Sequence, residues 1–395
     1  MLVLVLGIES SCDETAAAVV ADGERILSSA VASQILTHER FGGVVPELAS
    51  REHLRRIGPV VDEALARAGV TAAQVDALAV TEGPGLIGSL LVGLVYGKAM
   101  AEALAKPLVG VNHLEGHIHG VLLENKIARA ADPDIEAAEF PNVTLVVSGG
   151  HTVLYRVEAD SSVGGPWPRF RYMRLGQTRD DAAGEAFDKV AKLLALGYPG
   201  GPVIDRLAVH GKSDAVDFGR VRMKGNPLDF SFSGLKTAVL YRVRGSALEK
   251  EAEERRRWQN DRRREGKRPG ADELREHCSR ETLDLIASFQ SAVVDDLVER
   301  TLAAAETEAV SSVFVSGGVA CNSLLRQRAA EAAHAQGFGC FFPSLALATD
   351  NAAMIAAAGF FKLAAGERAD VTLTAHASLP LGVSAAPDGV AAPNR

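Results

Sequence analysis

Apolar positions at the start of the chain fall in short runs bounded by turn residues, which predicts three strands: Val3 to Ile8, Thr15 to Val20 and Arg25 to Ala32. Asp22-Gly23, a favoured hairpin turn, joins the last two. The pattern then predicts a helix from Pro46 to Ala68, bent near Gly58-Pro59, and a buried strand from Ala77 to Thr81. A helix from Ser89 to Ala105, a strand from Leu108 to Val111 and a helix running through His117 complete the unit.

The second half repeats this order. Strands Val143 to Val147, Thr152 to Val157 and Phe170 to Leu175 precede a helix from Asp180 to Leu194 and a long middle region. From Thr282 onward Leu283, Ile286, Phe289, Val293 and Leu297 recur at three- and four-residue spacing, so one stripe of that helix faces a core. Strand Val313 to Ser316, helix Ser323 to Ala333, strand Gly339 to Phe342 and helix Asn351 to Leu363 close the second copy. The fold expected is α/β, two duplicated lobes with a cleft between them. The lobes are placed at 1–130 and 131–350, with a helical insertion at about 186–281. The helix at about 351–365 is expected to pack back on the first lobe, and 366–395 to form a disordered tail, most clearly its Ala- and Pro-rich part from Thr374.

Length and charge narrow the picture. A chain of 395 residues fits two domains of roughly 150 to 200 residues. No uninterrupted run of about 18 apolar residues stands out, so neither a membrane span nor a membrane partner is expected, and the chain reads as cytoplasmic. Cys12, Cys278, Cys321 and Cys340 show no CxxC spacing and read as buried thiols. The net charge of −8 argues against a protein that coats nucleic acid unaided. Between Arg255 and Arg268, however, eight Lys or Arg stand against two acids. That segment is either a solvated, partly disordered insertion or a patch that meets RNA phosphates.

Three turns share one logic, a strand ending in small and polar residues: Gly7 to Thr15, Val147 to His151, and Val315 to Asn322. In the first two, exposed backbone N–H groups would grip phosphate oxygens, with Ser10, Ser11 and Asp13 as a candidate phosphate loop. In the third, glycines precede a helix whose N-terminus favours an anion. The P-loop signature is absent.

Asn112-His113-Leu114-Glu115-Gly116-His117 places two imidazoles four residues apart, on one helix face, where both reach one metal ion. Glu115 is not adjacent to the first histidine, so this is not the metallopeptidase signature, and His119 lies off the shared face. Asp350 is the candidate third ligand, at the end of the second repeat; an N-cap role is the alternative. Two histidines and a carboxylate suit Zn(II) or Fe(II) rather than Mg(II).

Further strings decide the resemblance: Gly83-Pro84-Gly85-Leu86, Asp180 to Lys189, Tyr198 to Pro202, Ser231 to Ala238 and Thr349-Asp350-Asn351. With the turns and the histidine pair they resemble the TsaD family of tRNA threonylcarbamoyladenosine synthases, once misnamed endopeptidases. That resemblance implies the actin, sugar-kinase and Hsp70 fold, with two ribonuclease H-like lobes. It implies transfer of threonylcarbamoyl from threonylcarbamoyl-AMP to the N6 amine of adenosine 37 in tRNAs that read codons beginning with adenine, releasing AMP. ATP or AMP would occupy the same cleft. His113, His117 and Asp350 are implied as ligands of one Fe(II) or Zn(II), acting as template and Lewis acid. Val147, Ser148, Gly149, Gly150 and His151 would hold the phosphate and acyl part, their N–H groups stabilising developing charge. Asp188, Gly201, Asp205 and Asn322 would surround the adenosine. The general base is unassigned, with His151 a candidate proton relay. Partners implied are tRNA, a paralogous actin-like protein of the TsaB type and a small P-loop ATPase of the TsaE type. Rival readings are a metallopeptidase, a non-catalytic actin-like scaffold, which would lack the histidine pair, and a small-molecule kinase. The segment from Arg244 to Arg280 and the tail beyond Ala365 depart from the family's usual length.

Overall fold

Asp22 and Gly23 both take positive φ, 51° and 67°, in the three-residue hairpin loop Asp22-Gly23-Glu24. They join β2 (Glu14–Ala21) to β3 (Arg25–Ser33), and β1 (Leu4–Glu9) pairs antiparallel with β2. The chain is described from a computed structural model over residues 2–162, 166–219 and 223–384. After α1 (Ile35–His38), α2 (Pro46–Ala68) starts on a proline, runs through Pro59 and ends at left-handed Gly69. Then come β4 (Ala77–Gly83), α3 (Ile87–Leu104), β5 (Leu108–Asn112) and α4 (His113–Ala131).

The second lobe holds β6 (Asn142–Val147), β7 (Thr152–Asp160) and β8 (Arg169–Gln177), followed by α5 (Ala183–Leu193) and α6 (Gly200–Ala208). Three further helices follow, α7 (Ser233–Val243), α8 (Ala247–Arg264) and α9 (Ala271–Glu276), and then the long α10 (Arg280–Thr307). The lobe closes with β9 (Ser312–Ser316), α11 (Ser323–Ala335), β10 (Gly339–Phe341), α12 (Leu345–Ala348), α13 (Ala352–Ala364) and β11 (Val383–Ser384). Strand orders are β3-β2-β1-β4-β5 and β10-β9-β6-β7-β8-β11. Read from the other edge, the second sheet repeats the first and adds β11, so the duplication expected from the sequence is present in the topology.

Helix α13 is buried from Ala352 to Phe361 against the first sheet, with Met354, Ile355, Phe360 and Phe361 in one cluster with Val5, Ala16 and Ala79. Each such side chain contributes on the order of 1.5–3 kcal/mol. Small residues allow that approach: a Cβ on Gly7 would stand 2.2 Å from the Ala352 carbonyl oxygen. Helix α4 is buried from His113 to Leu123. Its Leu114 and Ile118 pack on Val146 and Val153 of the second sheet, while Leu123 joins the cluster on the first. A helix apolar on several faces belongs in such a sandwich, and this one spaces the two lobes.

Five expectations need correction. The helix placed at Asp180 begins at Ala183, because the Asp180 carboxylate is committed to the start of α7, accepting from Phe232 N (2.9 Å) and from the Ser231 and Ser233 hydroxyls (both 2.6 Å). The Arg-rich insertion is not disordered. Leu248, Ala252, Arg255 and Gln259 form a buried stripe on α8, and Arg255 donates to the carbonyls of Leu194 and His277 and pairs with Glu251. A charged residue tolerates burial only when so partnered.

Residues 367–384 are not a free tail. Ala369 N donates to Leu108 O (2.7 Å), His376 N to Glu82 O (2.8 Å), Leu381 is buried, and β11 extends the second sheet beside β8. Backbone pairing with exposed strand ends, which composition does not encode, holds this strap; the rest of the expected tail, 385–395, lies outside the described residues. Finally, α3 is long and apolar enough to cross a membrane, with a mean hydropathy of 1.4. It packs against β4 and α2 through Leu90, Gly93, Leu94 and Gly97. The four cysteines are free thiols and half-buried rather than buried.

Candidate functional site

Strand β5 runs straight into α4, and Asn112 caps the helix by accepting from Leu114 N at 2.9 Å. Its amide donates to Leu379 O of the C-terminal strap, also at 2.9 Å. His113 and His117 therefore start one buried helix, one turn apart, with ring centroids separated by 4.7 Å. From the other end of the chain, Asp350 reaches both: its Oδ1 lies 3.5 Å from His113 Nε2 and 3.3 Å from His117 Nε2. The alternative N-cap role belongs to the neighbour. Asn351, not Asp350, caps α13 by accepting from Met354 N, which leaves the Asp350 carboxylate to face the histidines.

Ligand atoms of His113, His117 and Asp350 all lie within 4.8 Å of one another. Both ring nitrogens of His117 are buried without a hydrogen-bond partner. A buried polar atom left unpaired costs about 1–3 kcal/mol, so an imidazole in this state is suited to a Lewis acid. The donor set and the orphaned nitrogens fit a divalent metal.

Glu9, absent from the sequence-derived site, completes it. It ends β1 fully buried, and its Oε2 accepts from Thr81 Oγ1 at 2.7 Å and lies 3.0 Å from His113 Nδ1. Its other oxygen accepts from Ser11 N. A carboxylate behind a ligating histidine fixes the ring's tautomer and orientation. The signal was in the sequence: an acid closing an otherwise apolar strand must find a partner. Burial alone would lower the His113 imidazole, but Asp350 and Glu9 outweigh it and hold it well above the usual range. Burial would likewise raise Asp350, yet His113 and His117 hold it low.

The Val147–His151 turn lies beside this cluster. Ser148 N donates to His151 O (2.7 Å) and Ser148 Oγ accepts from His151 N (3.2 Å), while Gly149 and Gly150 are exposed with open space where a side chain would stand. Burial first, then the neighbouring His113 and His117, lowers the His151 imidazole to about 4. It is neutral at neutral pH and suited to accept a hydrogen bond rather than to donate as an acid.

Asp188 accepts from Gly200 N at 2.7 Å, which replaces the i,i+4 pair with Lys192 as its partner. Burial raises this carboxyl to about 6. Gly201 sits next to it with nothing within 4 Å of an added Cβ. Asp205 holds Ser323, its two oxygens accepting from Ser323 N (3.1 Å) and Oγ (2.9 Å). Asn322 caps α11 by accepting from Leu325 N (2.9 Å) and donates to Gln290 (3.0 Å), so its amide is committed to the protein. Of the candidate phosphate loop, Ser10 is turned inward: its Oγ donates to Ser89 O (2.9 Å) and accepts from Gly93 N (3.2 Å). Ser11 Oγ lies 3.3 Å from His113 Nδ1, and Asp13 is buried. Of these positions Ser11 touches the histidine site, while Ser10 ties the loop to α3 and offers no side-chain contact to a phosphate.

Comparison with known proteins gives the same direction from sequence and fold. The profile of the TsaD family, described as tRNA N6-adenosine threonylcarbamoyltransferase, matches residues 25–357. The chain is 52% identical over 391 residues to the tRNA N6-adenosine threonylcarbamoyltransferase of Koribacter versatilis, covering 96% of this chain and 99% of the relative. It is 50% identical over 380 residues to the protein of the same name from Symbiobacterium thermophilum, covering 96% and 97%. Among solved structures, full-length HypF in its phosphate- and nucleotide-bound form aligns with a TM-score of 0.50 at 11% identity. That alignment covers 91% of this chain and 46% of HypF, a likeness of fold alone.

Proposed function

The chain belongs to the TsaD family of tRNA N6-adenosine threonylcarbamoyltransferases, and from that premise we propose that it transfers threonylcarbamoyl from threonylcarbamoyl-AMP to the N6 amine of tRNA adenosine 37, with His113, His117 and Asp350 holding one Fe(II) or Zn(II). It is a transferase built on two actin-like lobes. The observation that carries the metal reading is the convergence of two adjacent imidazoles and a distant carboxylate, ligand atoms within 4.8 Å, in the layer between the lobes.

An exocyclic aryl amine is a weak nucleophile, so the acyl group must arrive activated; a mixed anhydride with AMP as leaving group supplies that. What remains for the protein is to position and polarise. When bound, the metal supplies a template and a Lewis acid for acyl oxygens. The N–H groups of Gly149 and Gly150 point from an exposed turn and would stabilise charge developing on the transferred group. Asp188 would accept from ribose hydroxyls, and Gly201, with nothing within 4 Å of an added Cβ, would leave room for the ligand beside it. His151, neutral at working pH, accepts a hydrogen bond from the amine or the acyl group. The peptidase reading lacks its base: Glu115 faces away, accepting from Tyr172 OH at 3.1 Å. The test is to incubate the purified chain and its partner proteins with unmodified tRNA and threonylcarbamoyl-AMP, then weigh the nucleosides. Threonylcarbamoyladenosine is the expected product; unmodified adenosine alone would sink the proposal.

A paralogous actin-like partner needs a face on this chain. Ile87, Leu91 and Val95 stand at four-residue spacing along α3 and are 42%, 40% and 58% exposed, with Leu54 of α2 67% exposed. An apolar stripe on a helix layer is what another helix layer covers. Changing Leu91 and Val95 together to Glu should abolish co-elution with the partner on size exclusion while leaving metal content unchanged. Undiminished co-elution would remove this assignment.

A further inference from the structure

The Arg-rich segment divides in the folded chain. Arg262 pairs with Glu273 at 2.6 Å, Arg264 with Asp261 at 3.2 Å, and Arg263 and Arg268 both reach Glu39 of the first lobe. Arg255 is buried. Arg256, by contrast, points into a groove of about 470 Å³ formed by α5, α7 and α8. Four more cations line it, Lys189, Lys192, Lys236 and Arg244, against two carboxylates, Glu249 and Glu253.

Asp181 pairs with Lys189 (2.8 Å) and Lys236 (3.4 Å), and Glu185 pairs with Lys189 as well (2.8 Å). Lys192, Arg244 and Arg256 are exposed, and among the described residues no carboxylate lies within ion-pair distance of them. Cations outnumber carboxylates in the groove, and three of them stand outside any ion pair, so this face of a chain whose net charge is −8 is a local attractor for a polyanion. The groove floor is apolar, from Leu193, Val243 and Ala252, which suits the methylene stems of long cations.

Position identifies the occupant. Lys192 follows Asp188 by one turn of α5, so the groove opens beside the end of the cleft assigned to the adenosine. The Gly42 turn of the first lobe borders it, since a Cβ there would stand 3.6 Å from Lys192 Nζ. We propose that this groove docks the sugar-phosphate backbone of the tRNA substrate, with Lys192, Arg244 and Arg256 as phosphate contacts. The inference rests on the transferase reading and extends it with a surface.

Each phosphate contact releases counterions, lowering the slope of log affinity against log salt by about 0.7–0.9 when it is lost. For the full-length chain and an unmodified tRNA transcript, the triple variant Lys192→Ala, Arg244→Ala, Arg256→Ala should flatten that slope by about two to three. At about 0.1 M salt its Kd should rise at least about tenfold, with maximal transfer rate at saturating tRNA little changed. Glu253→Gln, a change of opposite sign at an exposed position, should tighten binding by about two- to threefold. A triple variant with the parent's slope and Kd overturns the groove while leaving the transferase reading intact. A parent chain that forms no threonylcarbamoyladenosine overturns both.

Discussion

Alanine in place of His117 is expected to strip the metal and lower threonylcarbamoyl transfer by at least about a hundredfold, the upper end of what loss of a mere outer-shell partner costs. Stability of the metal-free chain should change little. His117 is fully buried and neither ring nitrogen has a hydrogen-bond partner, so the ring carries an unsatisfied cost of about 1–3 kcal/mol. Truncation relieves that cost and opens a cavity of comparable penalty, so the two effects offset to within about 1–2 kcal/mol. A core histidine with a structural role would behave in the opposite way, losing stability with no change in metal. Glu9→Gln separates ligand from support: it keeps the amide near His113 but weakens the hold on the ring, and should lower metal affinity by roughly 10–100-fold without abolishing binding. Elemental analysis, nucleoside mass and melting with and without chelator read all three quantities. An active His117→Ala protein that carries no metal would falsify the template role.

The fold was legible because its periodicities are clean and repeated. Val143 to Val147 or Leu283 to Leu297 each declare a strand or a helix face, and the repeat of the order predicts two similar sheets, which strand pairing bears out. The histidine pair was legible from spacing because both residues occupy one helix. For Glu9 the apolar strand signals that a partner is needed but not which one, because its link to His113 joins positions 104 residues apart. The partners of Asn322 and Ser10 were not legible for a related reason. Turn residues look alike in sequence whether their polar atoms face a ligand or cap the next helix, and here Leu325 N and Ser89 O take them. The strap at 367–384 is not legible because its hold falls on its own backbone, from other backbone groups and from Asn112 and Lys98, and small residues in an Ala-rich run carry no pattern. The insertion was misread through composition: one buried arginine with carbonyl partners anchors a helix that charge counting would dissolve.

Gly317→Ala is expected to be the most damaging single-methyl change near the cleft. Gly317 has φ 97° and ψ 165°, a region reached almost only by glycine, and an L-residue there costs on the order of 1–3 kcal/mol. The added Cβ would also stand 2.3 Å from the Val147 carbonyl oxygen and 2.7 Å from its carbon. Both are backbone atoms at the end of a central strand, which cannot swing aside as a side chain would. The combined cost is about 3 kcal/mol or more, a fall of roughly 6–12 °C in melting temperature for a lobe of this size. If the strand yields instead, the displaced element is the Val147–His151 turn, because Val147 pairs with Thr152 and fixes where Gly149 and Gly150 stand. A shift of about 1 Å there would cost transfer on the order of a hundredfold even in protein that remains folded. Gly318→Ala is the control, since nothing lies within 4 Å of its Cβ position. Should both alanine variants melt and turn over like the parent, the close approach of Gly317 to the end of β6 does not hold the turn, and the positioning of the acyl end must come from elsewhere in the second lobe.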